Sequence, residues 1–242
     1  MNTSTCVPEE TQTNLSLFIK GALAISPLCI AILPWGILAG SMAIETNLTA
    51  TEGIGLSVIV FAGATQLAAM GMIKAGAGLF TILLSSFFIS SQHFLYGLAL
   101  REHMSRLPFK WRLILGFLLT DELFAIVGNH SVERFNRWYA FGAGFFFYIV
   151  WIVCTILGVF AAKKIPNLGS YGLDFSIAAT FIAIVIPVVK HNTPMLACMI
   201  SAVFFSVVFH YFDIGGALIF SGLIAMFIGL LTSNYLEKER QS

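Results

Sequence analysis

The stretch AISPLCIAILPWGILAG, residues 24–40, is apolar all round and holds two prolines, Pro27 and Pro34. A helix with no polar face has no side to turn to water. Each proline removes a backbone donor, and its ring collides with the turn before it. Freed backbone groups survive in hydrocarbon only where protein or a water-lined cavity surrounds them. The stretch therefore predicts a Pro-broken helix inside a membrane, with polar backbone exposed at half-depth. Gly36 and Gly40 form a Gly-x-x-x-Gly on the same segment, which lets a neighbouring helix approach closely.

The rest of the chain agrees with this start. Of its 242 residues 58% are hydrophobic and only 10% are charged, with a formal net charge of +1. A soluble domain is closer to half apolar and a quarter charged, so the excess faces lipid. Apolar segments near 16–44, 54–74, 77–100, 111–129, 138–162, 173–190, 194–210 and 213–233 predict an all-α polytopic transmembrane bundle of about seven to eight spans. Residues 1–15 read as a polar N-terminal tail, 16–235 as one transmembrane domain and 236–242 as a polar C-terminal tail. The N-terminal stretch has Glu9 and Glu10 but no Lys or Arg, and no cleavage pattern follows it, which does not fit a signal peptide. Near-neutral charge with no basic face excludes a nucleic-acid partner. Cys6, Cys29, Cys154 and Cys198 fall at no metal-ligand or redox spacing, so no metal site or cofactor is expected.

Charge sets a topological problem. Eight plain crossings from a cytoplasmic N-terminus would leave Arg101, Arg106, Lys110 and Arg112 outside, against the preference of basic residues for the cytoplasm. A re-entrant first segment would reverse every later loop and place Lys163 and Lys164 inside with them. Trp111 beside Lys110 and Trp138 beside Arg137 mark headgroup boundaries. A faint echo links GLSVIVFAGATQLAA from Gly55 with GLDFSIAATFIAI from Gly172, which suggests an internal repeat.

Polar residues inside apolar spans are the candidate site. In FAGATQLAA, Thr65 and Gln66 share their surroundings with small residues. In SSFFISSQHFLYGLAL, Ser86, Ser90, His93 and Gly97 line one helix face, and Gln92 and Tyr96 form an adjacent pair. In GFLLTDELFAIVG, Asp121 and Glu122 lie well inside an apolar run, pointing about 100° apart at helical spacing. A carboxylate at such depth is costly and marks a pathway or proton relay. Asp174 starts a span directly after Leu173 and Gly172 and suits helix capping.

Five stretches in this order, PLCIAILPWGILAG, FAGATQLAA, HFLYGLAL, LTDELFA and GLDFSIAATFIAIVIP, resemble the AzlC family, the large subunit of bacterial branched-chain amino-acid exporters. The resemblance runs from about Lys20 to the last span. It departs from the family at SSQHFLYG, where Ser90 and Gln92 stand in place of the usual Asn and Arg before His93. The family implies export of leucine, isoleucine, valine or methionine across the bacterial inner membrane, with a small AzlD-type membrane partner.

On that reading Pro34, Gly36, Thr65, Gln66, Ser90, Gln92, His93 and Tyr96 contact the amino acid, Asp121, Glu122 and His93 carry a coupling proton, and Asp174 is a further position of interest. No ATPase loop, H-E-x-x-H or G-x-S-x-G is present, so neither ATP-driven transport nor an intramembrane protease is expected. The rival reading is an accessory subunit whose polar residues only join helices, or a transporter of another small zwitterion.

Overall fold

The computed structural model describes residues 13–128, 131–132, 135–165, 192–212 and 217–241, with isolated positions 182, 186 and 189. All elements among these residues are helices, in two compact units, Met1–Thr180 and Phe181–Ser242. Four of the described helical stretches are long and apolar enough to cross a membrane: Asn14–Ala31, Leu79–Ala99, Arg137–Ala162 and Phe220–Lys238. The Leu79–Ala99 stretch turns large apolar side chains outward, with Phe80 77% exposed and Leu98 66% exposed, as a lipid-facing surface requires.

In the first unit, α1 (Asn14–Ala31) and α2 (Leu33–Glu45) meet at Ile32, with Pro34 in the first turn of α2. The helical path survives the hinge, because Ile32 N donates to Leu28 O at 3.1 Å and Gly36 N to Ile32 O at 2.9 Å. The chain then forms α3 (Ala50–Ile59), α4 (Gly63–Lys74), α5 (Leu79–Ser90), α6 (Gln92–Ala99), α7 (Arg101–Ser105), α8 (Phe109–Phe117), α9 (Asp121–Val127) and the unbroken α10 (Arg137–Ala162).

Glycines fix the central pair. Gly21 packs on Tyr139 and Ala143, and Gly40 packs on Thr155 and Val159, so α1–α2 runs parallel to α10. A Cβ on Gly21 would strike Tyr139 O, and one on Gly142 would strike Phe18 O. Gly40 and Thr155 O, and Gly158 and Ile37 O, repeat the arrangement further along. Each helix therefore seats a glycine under a carbonyl of the other at two levels. Helices in lipid associate through this kind of close backbone contact, since burial of apolar surface gains nothing there.

Two hairpins enter from opposite ends of this pair. The first is α3–α4. A capping box at Thr49 and Glu52 opens α3 beside the end of α2, and two hydrogen bonds from Thr49 hold the Glu52 carboxyl below its ordinary range. That cap therefore contributes at neutral pH and is lost as acid protonates Glu52. The hairpin turns at Phe61, whose φ of +42° is left-handed. α4 then returns to the same end, where Lys74 meets Glu45 at 3.7 Å. Ser57 Oγ, 2.8 Å from Thr155 Oγ1, takes a bond from Gln66 Nε2 at 2.9 Å, which ties both arms to α10.

The second hairpin is α8–α9. Trp111 and Trp138 meet edge to face at 4.9 Å, so α8 and α10 start at the same level. Arg137 lies over the Trp111 ring at 5.3 Å, as expected at a headgroup boundary. α8 climbs until Phe117 meets Tyr148 at 5.5 Å, the chain breaks at Leu118–Thr120, and α9 leads back toward Phe135, which touches His103 at 5.3 Å.

In the first segment α1 and α2 join end to end at Ile32, whereas 54–74 and 111–127 each fold as a helical hairpin, α3–α4 and α8–α9. With α3–α4 turning back, α5–α6 returns the chain to the end where α1 begins, and Arg101 to Arg112 lie there without any reversal. Lys163 and Lys164 follow the far end of α10 and do not join them. In the second unit, α11 (Thr193–Tyr211) and α12 (Ala217–Gln241) pair side by side, with Gly229 against Cys198. Asp174, the second copy of the Gly55 echo and most of 173–190 lie outside the described residues.

Two stability results are expected. Gly40→Ala should lower the thermal midpoint in detergent by an amount equivalent to about 1–3 kcal/mol of overpacking, whereas Gly55→Ala, with nothing within 4 Å of the added carbon, should not. Gln66→Ala should also lower the midpoint, by roughly 1–3 kcal/mol of lost buried hydrogen bonding, while Gln92→Ala should leave it nearly unchanged.

Candidate functional site

Four of the helix breaks in the first unit reach one cavity. Its walls are Ile32 from the α1–α2 hinge, Phe61 and Ala62 from the first hairpin turn, Gln92 and His93 just after the α5–α6 break at Ser91, and Thr120, Asp121 and Glu122 from the second turn. Trp35, Phe147 and Trp151 complete it from α2 and the middle of α10. Trp35 and Trp151 meet edge to face at 5.8 Å. The cavity measures about 40 Å³. One water needs roughly 10–15 Å³ and a ligand pocket about 300 Å³ or more. This conformation has room for a few waters and too little for a ligand.

Beside it lies an open groove of about 450 Å³ that runs along Phe87, Ser90 and Phe94 on one side and Gly116 and Phe117 on the other. Phe61, Ala62 and His93 line both spaces and form the wall between them. The Phe61 ring is held by Phe117 at 6.0 Å, Phe147 at 6.2 Å and Tyr148 at 4.8 Å. These contacts offset a left-handed backbone that costs a bulky residue about 1–3 kcal/mol.

The two acids stand in the first turn of α9, not in the middle of a span. Thr120 caps this helix by accepting from Leu123 N at 3.3 Å. Carboxylates at a helix N-terminus complement its exposed amides, which lowers the cost of placing them at this depth. Asp121 receives Gln92 Nε2 at 3.2 Å and the Tyr96 hydroxyl. Tyr96 is stacked on Phe124 at 4.6 Å, behind the cavity wall. Glu122 is buried at 5% exposure on the side of α1, near Cys29. Among the described residues neither acid has a Lys, Arg or His within ion-pair distance.

His93 is oriented by the last residue of α5. Its Nδ1 lies 3.0 Å from Ser90 O, and a carbonyl only accepts, so Nδ1 carries a proton. Nε2 is left to accept when the ring is neutral and to donate when it is protonated. Thr65 Oγ1 and Ser90 Oγ, 2.9 Å apart, join the start of α4 to the end of α5.

Of the residues singled out from sequence, the fold brings Thr65, Gln92, His93, Asp121 and Glu122 to the cavity. Ser90 borders the groove and Tyr96 supports Asp121. Gln66 is 1% exposed and bonded to Ser57, away from the cavity wall. Gly36 packs on Cys154, and Pro34 sets the hinge beside Ile32 without lining the space. Sequence reasoning missed Phe61, Thr120, Phe147 and Trp151. Only Thr120 carried a signal, as a capping residue followed by two acids.

A model of the AzlC protein family matches residues 27–165. Inner membrane protein YgaZ of Escherichia coli strain K12 is 29% identical over 150 residues, which span 60% of this chain and 61% of that protein, less than two thirds of its length. An uncharacterized membrane protein of Archaeoglobus fulgidus is 29% identical over 178 residues, 72% of this chain and 77% of that one. Another, from Helicobacter pylori strain 26695, is 23% identical over 183 residues, 73% and 79% of the two chains. No solved structure matches. The family match covers more than half of the chain and includes the hinge, both hairpin turns and every residue of the cavity, so this is a membrane protein of the AzlC family.

Proposed function

We propose that this chain is a secondary transporter exporting branched-chain or other hydrophobic amino acids, such as leucine, isoleucine, valine or methionine, as the large subunit of a two-component exporter with a small AzlD-type membrane partner. The observation that carries the reading is the meeting of two hairpin turns in one small, acid-bearing cavity. Non-helical backbone at membrane depth is tolerated where it lines such a space, and transporters place their sites at broken helices for this reason. Apolar walls at Ile32, Phe61 and Phe147 suit a hydrophobic side chain.

On this reading the open groove is the state-dependent route to the site, and displacement of Phe61 joins the two. Asp121 and Glu122 exchange a proton with His93 Nε2 or water as the site opens to one side and then the other. The end bearing the start of α1, Arg101 to Arg112 and Arg137 is cytoplasmic under the tendency of basic residues to stay inside. The membrane is the bacterial inner membrane.

The test is efflux from cells or vesicles preloaded with labelled leucine, valine or methionine, with and without the small partner, at two pH gradients. Release should require this chain and rise with an inward proton gradient. Asp121→Asn and Glu122→Gln should each cut the pH-dependent release by about tenfold or more, in line with the 10²–10⁴-fold scale of positioned proton transfer, while the protein stays folded in the membrane. Unchanged release in every condition removes the exporter reading; loss of assembly with the partner in both variants favours the accessory-subunit reading.

A further inference from the structure

The two hairpin tips differ in a way that assigns the ends of the substrate. Both present a helix N-terminus to the cavity. That of α9 is occupied: Thr120 caps it, and Asp121 and Glu122 stand in its first turn. That of α4 is not. Its N-cap residue is Ala62, with no side-chain cap bond, so the first amides, those of Gly63, Ala64 and Thr65, have no intrahelical acceptor. All three residues line the cavity.

A second donor borders the same cavity. Trp151 lines the cavity, is 3% exposed, and its indole N–H has no hydrogen-bond partner among the described residues. Its ring reaches the space over Gly63, where an added Cβ would lie 2.9 Å from Cη2. A buried indole N–H without an acceptor is uncommon and costly in a finished core. Together with the bare first turn of a twelve-residue helix, it makes a set of donors at the cavity for which the described residues supply no acceptor.

The acids on the same cavity are the complement. Asp121 and Glu122 accept, with only neutral groups such as Gln92 and Tyr96 as side-chain donors to Asp121. No Lys or Arg lines the cavity among the described residues. Gln92 is neutral and leaves Asp121 without a fixed counter-charge among the described residues.

We infer that the N-terminus of α4 and the Trp151 indole form the receptor for a substrate carboxylate, bound by neutral donors, while Asp121 holds the α-ammonium group across the cavity. This rests on the transport reading above and narrows it. The substrate class is a free α-amino acid whose carboxylate is unmodified and whose charge is balanced by the site as a dipole.

The test is competition for labelled leucine on the purified full-length chain, using leucine, leucinamide, 3-methylbutylamine and 4-methylpentanoate, in wild type and Trp151→Phe. In wild type, leucinamide and 3-methylbutylamine should compete at least about tenfold more weakly than leucine, as expected when a charge-assisted bond is lost. The acid lacking the amine should also compete weakly. Trp151→Phe, which keeps an aromatic ring and loses the N–H, should weaken leucine about tenfold and leave leucinamide unchanged. The wild-type comparison decides the matter even where the variant fails to fold. Equal competition by leucine and leucinamide, or equal weakening of both in Trp151→Phe, overturns the carboxylate assignment alone. Failure of leucine, isoleucine, valine and methionine all to bind removes the transport reading together with it.

Discussion

The backbone contact between α1–α2 and α10 is the constraint on which the rest depends. Where Gly21 and Gly40 sit under carbonyls of α10, and Gly142 and Gly158 under carbonyls of the first pair, the helices come closer than any side chain would permit. Close approach fixes the level of each residue on one helix against the other. The α1–α2 hinge thereby arrives at the middle of α10, where Trp35 faces Trp151. Hairpins that stop halfway need such a post, because their turns expose backbone that lipid cannot solvate. Ser57, Gln66 and Thr155 tie one hairpin to it, and Gly144 receives Leu118 and Leu123 from the other.

Much of the fold was legible in the sequence, for identifiable reasons. Lipid as solvent followed from composition, and the close helix contact followed from Gly36 and Gly40. The polar positions inside apolar runs gave Thr65, Gln92, His93, Asp121 and Glu122, all of which line the cavity. Hydropathy could not distinguish a crossing from a hairpin, since both are apolar runs of about twenty residues. The local signal was there at Thr120-Asp121-Glu122, which reads as a helix start in mid-span. At Val60-Phe61-Ala62 no turn residue announced the break, because the left-handed conformation falls on Phe61 and is held by distant rings. Gln66 was legible as buried and polar, but its partner Ser57 is nine residues away on another helix, a relation that only the hairpin creates.

The electrostatics follow from the same geometry. Two helix N-termini facing one small space would repel each other if both were bare, since each carries partial positive charge. Acids on α9 turn one of them into an acceptor and leave α4 as the donor. The pair makes a fixed dipole across a gap too narrow in this conformation for more than a few waters. Opening toward the groove requires the shared wall of Phe61, Ala62 and His93 to move, and His93 is the titratable member of that wall.

The most direct measurement is the reactivity of a thiol placed at the α4 tip. With the native cysteines replaced, Ala64→Cys should react from the aqueous phase with a small charged methanethiosulfonate and be protected by leucine, because thiolate forms only where water reaches. Phe80→Cys, on the exposed apolar face of α5, should stay inert. If the thiol at position 64 is as unreactive as the one at position 80, or reacts without any protection by amino acids, the hairpin tips do not enclose a wet, substrate-accessible site and the account is wrong.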